Sequence, residues 1–338
     1  MTSVGTLTWW GAAGVEVAVN GRCLLIDPYL QPLEARADYI CLTRETHEHC
    51  HEPTLQRLVA GPRFKQLLAP RSCTVRSRLD VPVPADARDL DFVDPTRLTV
   101  MYPKYTRHPG RQYPETTEIE LEGFRIEAVE SNEYDPITVL GSELQGKRYR
   151  PDDGQLWPAA TGAFVGPGVL PALGYVITEI DSGITLYHPG DLQEPFDRQR
   201  ELRGRIDYMF LPMATLEGAE LTVVDNVRPR RVIPIHYRLA TLDFPIPLKI
   251  AELRLATTDL ARGRPRSWVH PDVYRREIHA MMAAHWYPTP SRPLDRIREI
   301  TPLLEENGAE VLVLQAGYPH AMPPVSYTHL TLPTISRV

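Results

Sequence analysis

The chain has 338 residues, 43% of them hydrophobic and 24% charged, with a net charge of −6 at neutral pH. That length can hold one large domain or two small ones around a substantial core. An acidic balance without a polybasic cluster argues against a nucleic-acid partner, and no apolar run approaches the ~20 residues of a membrane span. The opening MTSVGTLTWWG lacks a basic stretch followed by an apolar one, so no export signal is read and a cytoplasmic location is expected. Cys23, Cys41, Cys50 and Cys73 form no CxxC pair, which fits reduced thiols.

The N-terminal part reads as strands. TLTWWG is followed by GVEVAVNGRCLLIDPYL, in which Val15, Val17 and Val19 alternate with Glu16 and Ala18. Asn20-Gly21 predicts a two-residue hairpin turn, and Pro28 ends the return strand. ADYICLTR is a further buried strand, and PTLQRLVA, from Pro53 to Ala60, is a helix with proline in its first turn. KQLLAP, RLTVMYP and TEIELEGFRIEAVES follow as strands, the last folded back at Glu122-Gly123. From Tyr134 to Pro171 the pattern gives way to Gly, Pro and polar residues, predicting a long loop.

Order returns with LGYVITEIDSGITLYHPGD, two strands about Asp181-Ser182-Gly183. IDYMFLPMA and RRVIPIHY are two more buried strands, with a short helix at LTVVDNVRP between them. A helical insertion is expected at about 239–295, then a helix, a stop at Gly308 and a final strand. The SYTHLTLPT stretch, Ser326 to Thr334, resembles a translated sequencing adapter. Residues 326–338 are therefore set aside as a non-native tail, with a natural flexible tail as the alternative. Pairs of strands alternating with βα units predict two packed mixed sheets flanked by helices, an αββα sandwich spanning residues 1–320.

The chemistry is concentrated in LTRETHEHCHEPTL, Leu42 to Leu55, between a strand end and a helix start, the edge where α/β proteins bind ligands. Taken in order with LTWWGAAGVEVAVNGRCLLIDPYL, LYHPGD and VIPIHY, it is similar to the metallo-β-lactamase-fold superfamily. Within it the resemblance is to the branch of ascorbate-phosphate lactonases and sialic-acid hydroxylase-type domains. The resemblance implies a metal centre built on a T-H-x-H-x-D-H motif. Aligned without a gap between ADYICLT and EPTL, the motif here is degenerate. Arg44 and Thr46 stand at the first two histidines, Glu48 at the aspartate and His49 at the third histidine. A one-residue slip would instead make His47 and His49 the H-x-H pair, at the cost of the PTL register. His47 and His51 otherwise fall at positions that are not ligands.

The resemblance further matches Asp191 in HPGD to the bridging aspartate and His236 in PIHY to the last histidine ligand. No histidine occupies the place of the middle one, where Asn132 or Glu133 stands. The losses fall on the first of two metal sites and spare the second, so the expected metal ligands are Glu48, His49, Asp191 and His236. Two imidazoles and two carboxylates suit one divalent ion, zinc first, with iron or manganese compatible. Glu48, Asp191 and Arg44 are the expected catalytic groups, Arg44 steadying negative charge because a guanidinium cannot ligate a metal.

The expectation is a metal-dependent hydrolase of esters, lactones or phosphoesters acting on a small-molecule substrate, an anionic one being compatible, with no nucleic-acid or membrane partner and with oligomerisation open. The alternatives are an inactive binding protein on the same fold and a mononuclear iron redox enzyme. Asp27 is read as a structural brace. His188 is open between a structural and a site role, and Arg228, Arg230 and Arg231 are read as a solvated edge.

Overall fold

In the computed structural model, the described residues are 4–29, 36–44, 49–70, 73, 90, 92–103, 116–131, 147–150, 155–158, 172–192, 195–213, 216, 218–236 and 292–323. The first sheet contains β1 (Gly5–Gly11), β2 (Gly14–Val19), β3 (Arg22–Ile26), β4 (Tyr39–Cys41), β5 (Gln66–Pro70) and β6 (Leu98–Met101). The second contains β7 (Glu118–Leu121), β8 (Phe124–Glu130), β11 (Leu173–Glu179), β12 (Thr185–His188), β13 (Tyr208–Pro212) and β14 (Arg231–Ile235). β15 (Glu310–Val311) closes the edge of the second sheet beside β14, and β16 (His320–Met322) pairs with β1 in the first. The order is β16-β1-β2-β3-β4-β5-β6 in one sheet and β15-β14-β13-β12-β11-β8-β7 in the other.

Side-chain alternation sets the layers. Along β3, Leu24 and Ile26 enter the core between the sheets, while Cys23 and Leu25 enter a second cluster on the opposite face. That second cluster includes Leu55 and Leu58 of α1 (Glu52–Val59), which therefore covers the outer face of the first sheet. Val223, Val224 and Val227 of α2 (Glu220–Val227), with Ile297, Ile300 and Leu304 of α3 (Arg292–Glu306), pack on the second. Every residue of β13 is buried, as expected for a parallel strand covered on both faces. The architecture is the αββα sandwich of two mixed sheets. None of the helices among the described residues is long and apolar enough to cross a membrane.

Local chemistry explains the turns. Asn20 and Gly21 both take positive φ, 50° and 75°, the geometry of the tight turn that joins β2 to β3. Gly308, at φ 87°, ends the last helical segment. α1 starts one residue earlier than Pro53, and α2 one residue earlier than Leu221.

Two readings need correction. The segment 134–171 is not wholly a loop: β9 (Lys147–Arg150) and β10 (Gln155–Pro158) form an antiparallel ribbon inside it. Neither KRYR nor QLWP alternates apolar with polar residues, so neither shows the period of a half-buried strand. The expected final strand is also split, for only Glu310 and Val311 join the second sheet, and the chain then crosses to the first as β16. The expected helical insertion lies outside the described residues up to residue 291, as do residues 324–338.

The two sheets are tied directly. The Tyr175 hydroxyl on β11 donates to the Leu42 carbonyl at 2.7 Å, beyond the end of β4, and the Leu173 amide donates to the Thr43 carbonyl at 2.8 Å. Tyr175→Phe leaves the buried Leu42 carbonyl without that donor, and the expected loss is about 1–3 kcal/mol. Urea unfolding of the variant beside wild type measures it.

Candidate metal centre

The centre forms at the C-terminal ends of strands from both sheets. Asp27 follows β3, Thr43, Arg44 and His49 follow β4, Asp191 follows β12 and His236 follows β14. Asp27, Thr43, Arg44, His49, Asp191 and His236 are all buried.

Asp27 organises the first-sheet half. One carboxylate oxygen accepts from the Thr43 amide at 2.7 Å; the other accepts from the Thr43 hydroxyl at 2.6 Å and lies 2.7 Å from His49 Nδ1. A carboxylate only accepts, so this contact assigns the Nδ1 proton to His49 and turns Nε2 toward Asp191 Oδ2, 2.9 Å away. The arrangement is the carboxylate–histidine pairing that fixes a metal-binding imidazole. His236 Nε2 lies 3.1 Å from the other oxygen of Asp191, and the His49 and His236 rings stack 5.9 Å apart. The Asp191 carboxylate thus stands between two parallel imidazoles.

The backbone is bent to make this possible. Asp27 and His236 have φ of 45° and 58°, a region costing a non-glycine residue roughly 1–3 kcal/mol. Their amides are held by the carbonyls of Cys41 and Ala12, each at 2.9 Å. Gly190, at φ +70°, turns the chain immediately before Asp191; a Cβ there would lie 2.9 Å from the Leu173 carbonyl. His188 is structural: Nε2 donates to the Ala13 carbonyl at 2.9 Å, and Nδ1 accepts from the Gly190 amide at 3.2 Å. Burial pushes its pKa down, in keeping with a neutral ring.

Charge is strongly coupled across the centre. Burial works against the Asp191 carboxylate, but His236, His49 and Arg44 beside it together hold its pKa below the usual range. Burial also works against a charged His49, yet the Asp191 and Asp27 carboxylates raise its pKa well above the ordinary value. Arg44 Nη1 is 3.6 Å from Asp191 Oδ2. His51, by contrast, faces Thr54 Oγ1 at 2.8 Å and meets Tyr29 edge-on, so it belongs to the start of α1. Cys50 is buried and free of any disulfide. Thr46, His47, Glu48, Asn132 and Glu133 lie outside the described residues.

The donor set fits a divalent ion. One ligand atom from each of His49, Asp191 and His236 lies within 4.8 Å of the others, and all three residues are buried. Among the described residues Asp191 Oδ1 accepts no hydrogen bond, although His236 Nε2 is only 3.1 Å away. Donor atoms directed at a common point rather than at each other would give this geometry. Of the expected ligands, the structure brings these three together. The reading of the sequence missed Thr43, whose place at the head of the motif was a usable signal. It also missed the Ala12 and Ala13 carbonyls, which carry none.

A family model described as a beta-lactamase superfamily domain matches residues 6–236, and the chain belongs to this metallo-β-lactamase superfamily. No curated protein sequence matches it. Among solved structures it is similar to CmlA, a diiron β-hydroxylase from Streptomyces venezuelae, at 12% identity and a TM-score of 0.51, covering 95% of this chain and 55% of that one. It is also similar to Igni18, a metallo hydrolase from the archaeon Ignicoccus hospitalis, at 14% identity and 0.49, covering 94% and 97%. A third is an isothiocyanate hydrolase from Delia radicum gut bacteria, at 13% identity and 0.48, covering 94% and 99%. At such identities the likeness concerns the fold.

Gly190→Ala combines an unfavourable φ with contact against the Leu173 carbonyl. The expected destabilisation is about 1–3 kcal/mol, read as a lower midpoint in urea.

Proposed function

We propose that the protein is a metal-dependent hydrolase of esters, lactones or phosphoesters that works with one divalent ion. The observation that carries this reading is the convergence of His49, Asp191 and His236 within 4.8 Å, with His49 braced from behind by Asp27. A divalent ion bound there, zinc first and iron or manganese otherwise, would polarise a scissile carbonyl or phosphoryl group and activate water.

The residues divide the remaining work. His49 and His236 offer Nε2 and Asp191 offers a carboxylate oxygen. Asp27 and Thr43 keep the His49 ring in one orientation and tautomer. Glu48 is assigned the fourth ligand position or, with its longer side chain, the role of a nearby base. Arg44 steadies negative charge as it develops on the substrate, since a buried guanidinium keeps its charge without reorganising. The substrate is a small molecule, and the segments at 134–171 and 239–295 of a domain spanning 1–320 are assigned to its selection. The loss of first-site histidines, the kinship with the lactonase and hydroxylase-type branch, and a cytoplasmic location belong to the same proposal.

Metal analysis of protein purified without chelators tests this reading. The expected result is near one equivalent of zinc, manganese or iron, lost in His236→Ala. Iron accompanied by oxygen consumption would instead favour a redox enzyme, the use that CmlA makes of a similar fold. Absence of metal from both proteins would leave a binding protein. Asp27→Asn removes the charge behind His49, and its metal affinity is expected to fall about 10–100-fold in a chelator competition.

A further inference from the structure

Arg44 is the member of the centre that ligation leaves over. Its side chain is 5% exposed, and its Nη1 lies 3.6 Å from Asp191 Oδ2, an electrostatic contact too long for a hydrogen bond. A guanidinium has no lone pair for a cation and does not lose its charge. The same oxygen faces His49 Nε2 at 2.9 Å, while the other oxygen faces His236. A cation entering between the two imidazoles must therefore share Asp191 with Arg44.

Charge balance points the same way. The buried carboxylates of Asp27 and Asp191 carry two negative charges, and Arg44 carries one positive charge. With the carboxylate of Glu48, the proposed fourth ligand, one divalent ion brings these groups to neutrality. A second would leave two excess positive charges, in surroundings where like charges repel strongly. Among the described residues, His49, Asp191 and His236 form the one cluster able to hold an ion.

We propose that Arg44 is a positioning residue that sets the occupancy and tightness of the centre. Its charge stands where a second cation would otherwise balance Asp191, limits the centre to one divalent ion and opposes the binding of that ion. The proposal rests on the reading of His49, Asp191 and His236 as metal ligands.

The test is a zinc titration of the full chain after removal of metal by chelator. Bound zinc is counted by elemental analysis, and affinity is read by competition with a chromophoric chelator. Arg44→Met removes the charge but keeps most of the stem; Arg44→Lys keeps the charge. Wild type is expected to take one equivalent, Arg44→Lys to bind within about threefold of it, and Arg44→Met to bind at least about tenfold more tightly, because a like charge has gone. An arginine that merely buttressed Asp191 would give the reverse, since its loss would loosen a ligand.

Unchanged or weaker zinc binding by Arg44→Met overturns the proposal, as do two equivalents in wild type. Circular dichroism checks folding, and Arg44→Gln is a second neutral variant should the methionine form not fold. If neither neutral variant folds, Arg44 is a structural requirement and the proposal fails. Zinc bound by neither wild type nor any variant overturns the ligand reading itself, and the role of Arg44 with it. Zinc bound normally by wild type with no gain in the neutral variants sinks the Arg44 proposal alone.

Discussion

The centre depends on the Asp27 carboxylate. It is fully buried just past β3, and it gathers the amide and hydroxyl of Thr43 together with the ring of His49. A carboxylate in such a place is tolerable only because three donors meet it. In return it determines where the chain after β4 must run and which nitrogen of His49 looks outward. The positive φ of Asp27 is part of the same arrangement, since an extended backbone would send the side chain elsewhere. The His49–Asp191–His236 group then follows from one anchored ring.

Much of the fold was legible because the strands are covered unequally. Val15, Val17 and Val19 alternate with less apolar positions, and the period of two shows a sheet packed on one side by another sheet. The runs YMFLP and RVIPI carry the other pattern, parallel strands enclosed on both faces. The Asn20-Gly21 turn and the Gly308 stop are local conformational requirements written directly in residue type. Part of what was not legible is cooperative. β16 is three residues long and is defined by pairing with β1 across the whole chain, so no local window contains its signal. The β9–β10 ribbon is local, but KRYR and QLWP carry no alternation to announce it.

The candidate site divides along the same line. His49, Asp191 and His236 could be picked out because each ends a strand in a recognisable local phrase. Their mutual geometry could not, because it is set by backbone groups. The Ala12 and Ala13 carbonyls receive the His236 amide and His188 Nε2, and any residue would present the same carbonyl. Arg44 was legible as a residue that cannot ligate. Its approach to Asp191, 147 positions further along (191 minus 44), required the packed sheets.

The strand order carries a consequence for folding. Each sheet passes from antiparallel pairing, at β1–β3 and β7–β12, to parallel pairing, at β3–β6 and β12–β15. The site lies where the two sheets meet: His49 comes from one sheet and Asp191 and His236 from the other. A nascent chain that has made only β1 to β6 holds His49 on its Asp27 brace, without Asp191 or His236. The centre therefore comes into being when the sheets dock, and a ligand that engages both sides draws the docking equilibrium toward the closed sandwich by mass action. Chemistry and assembly are in this sense a single event.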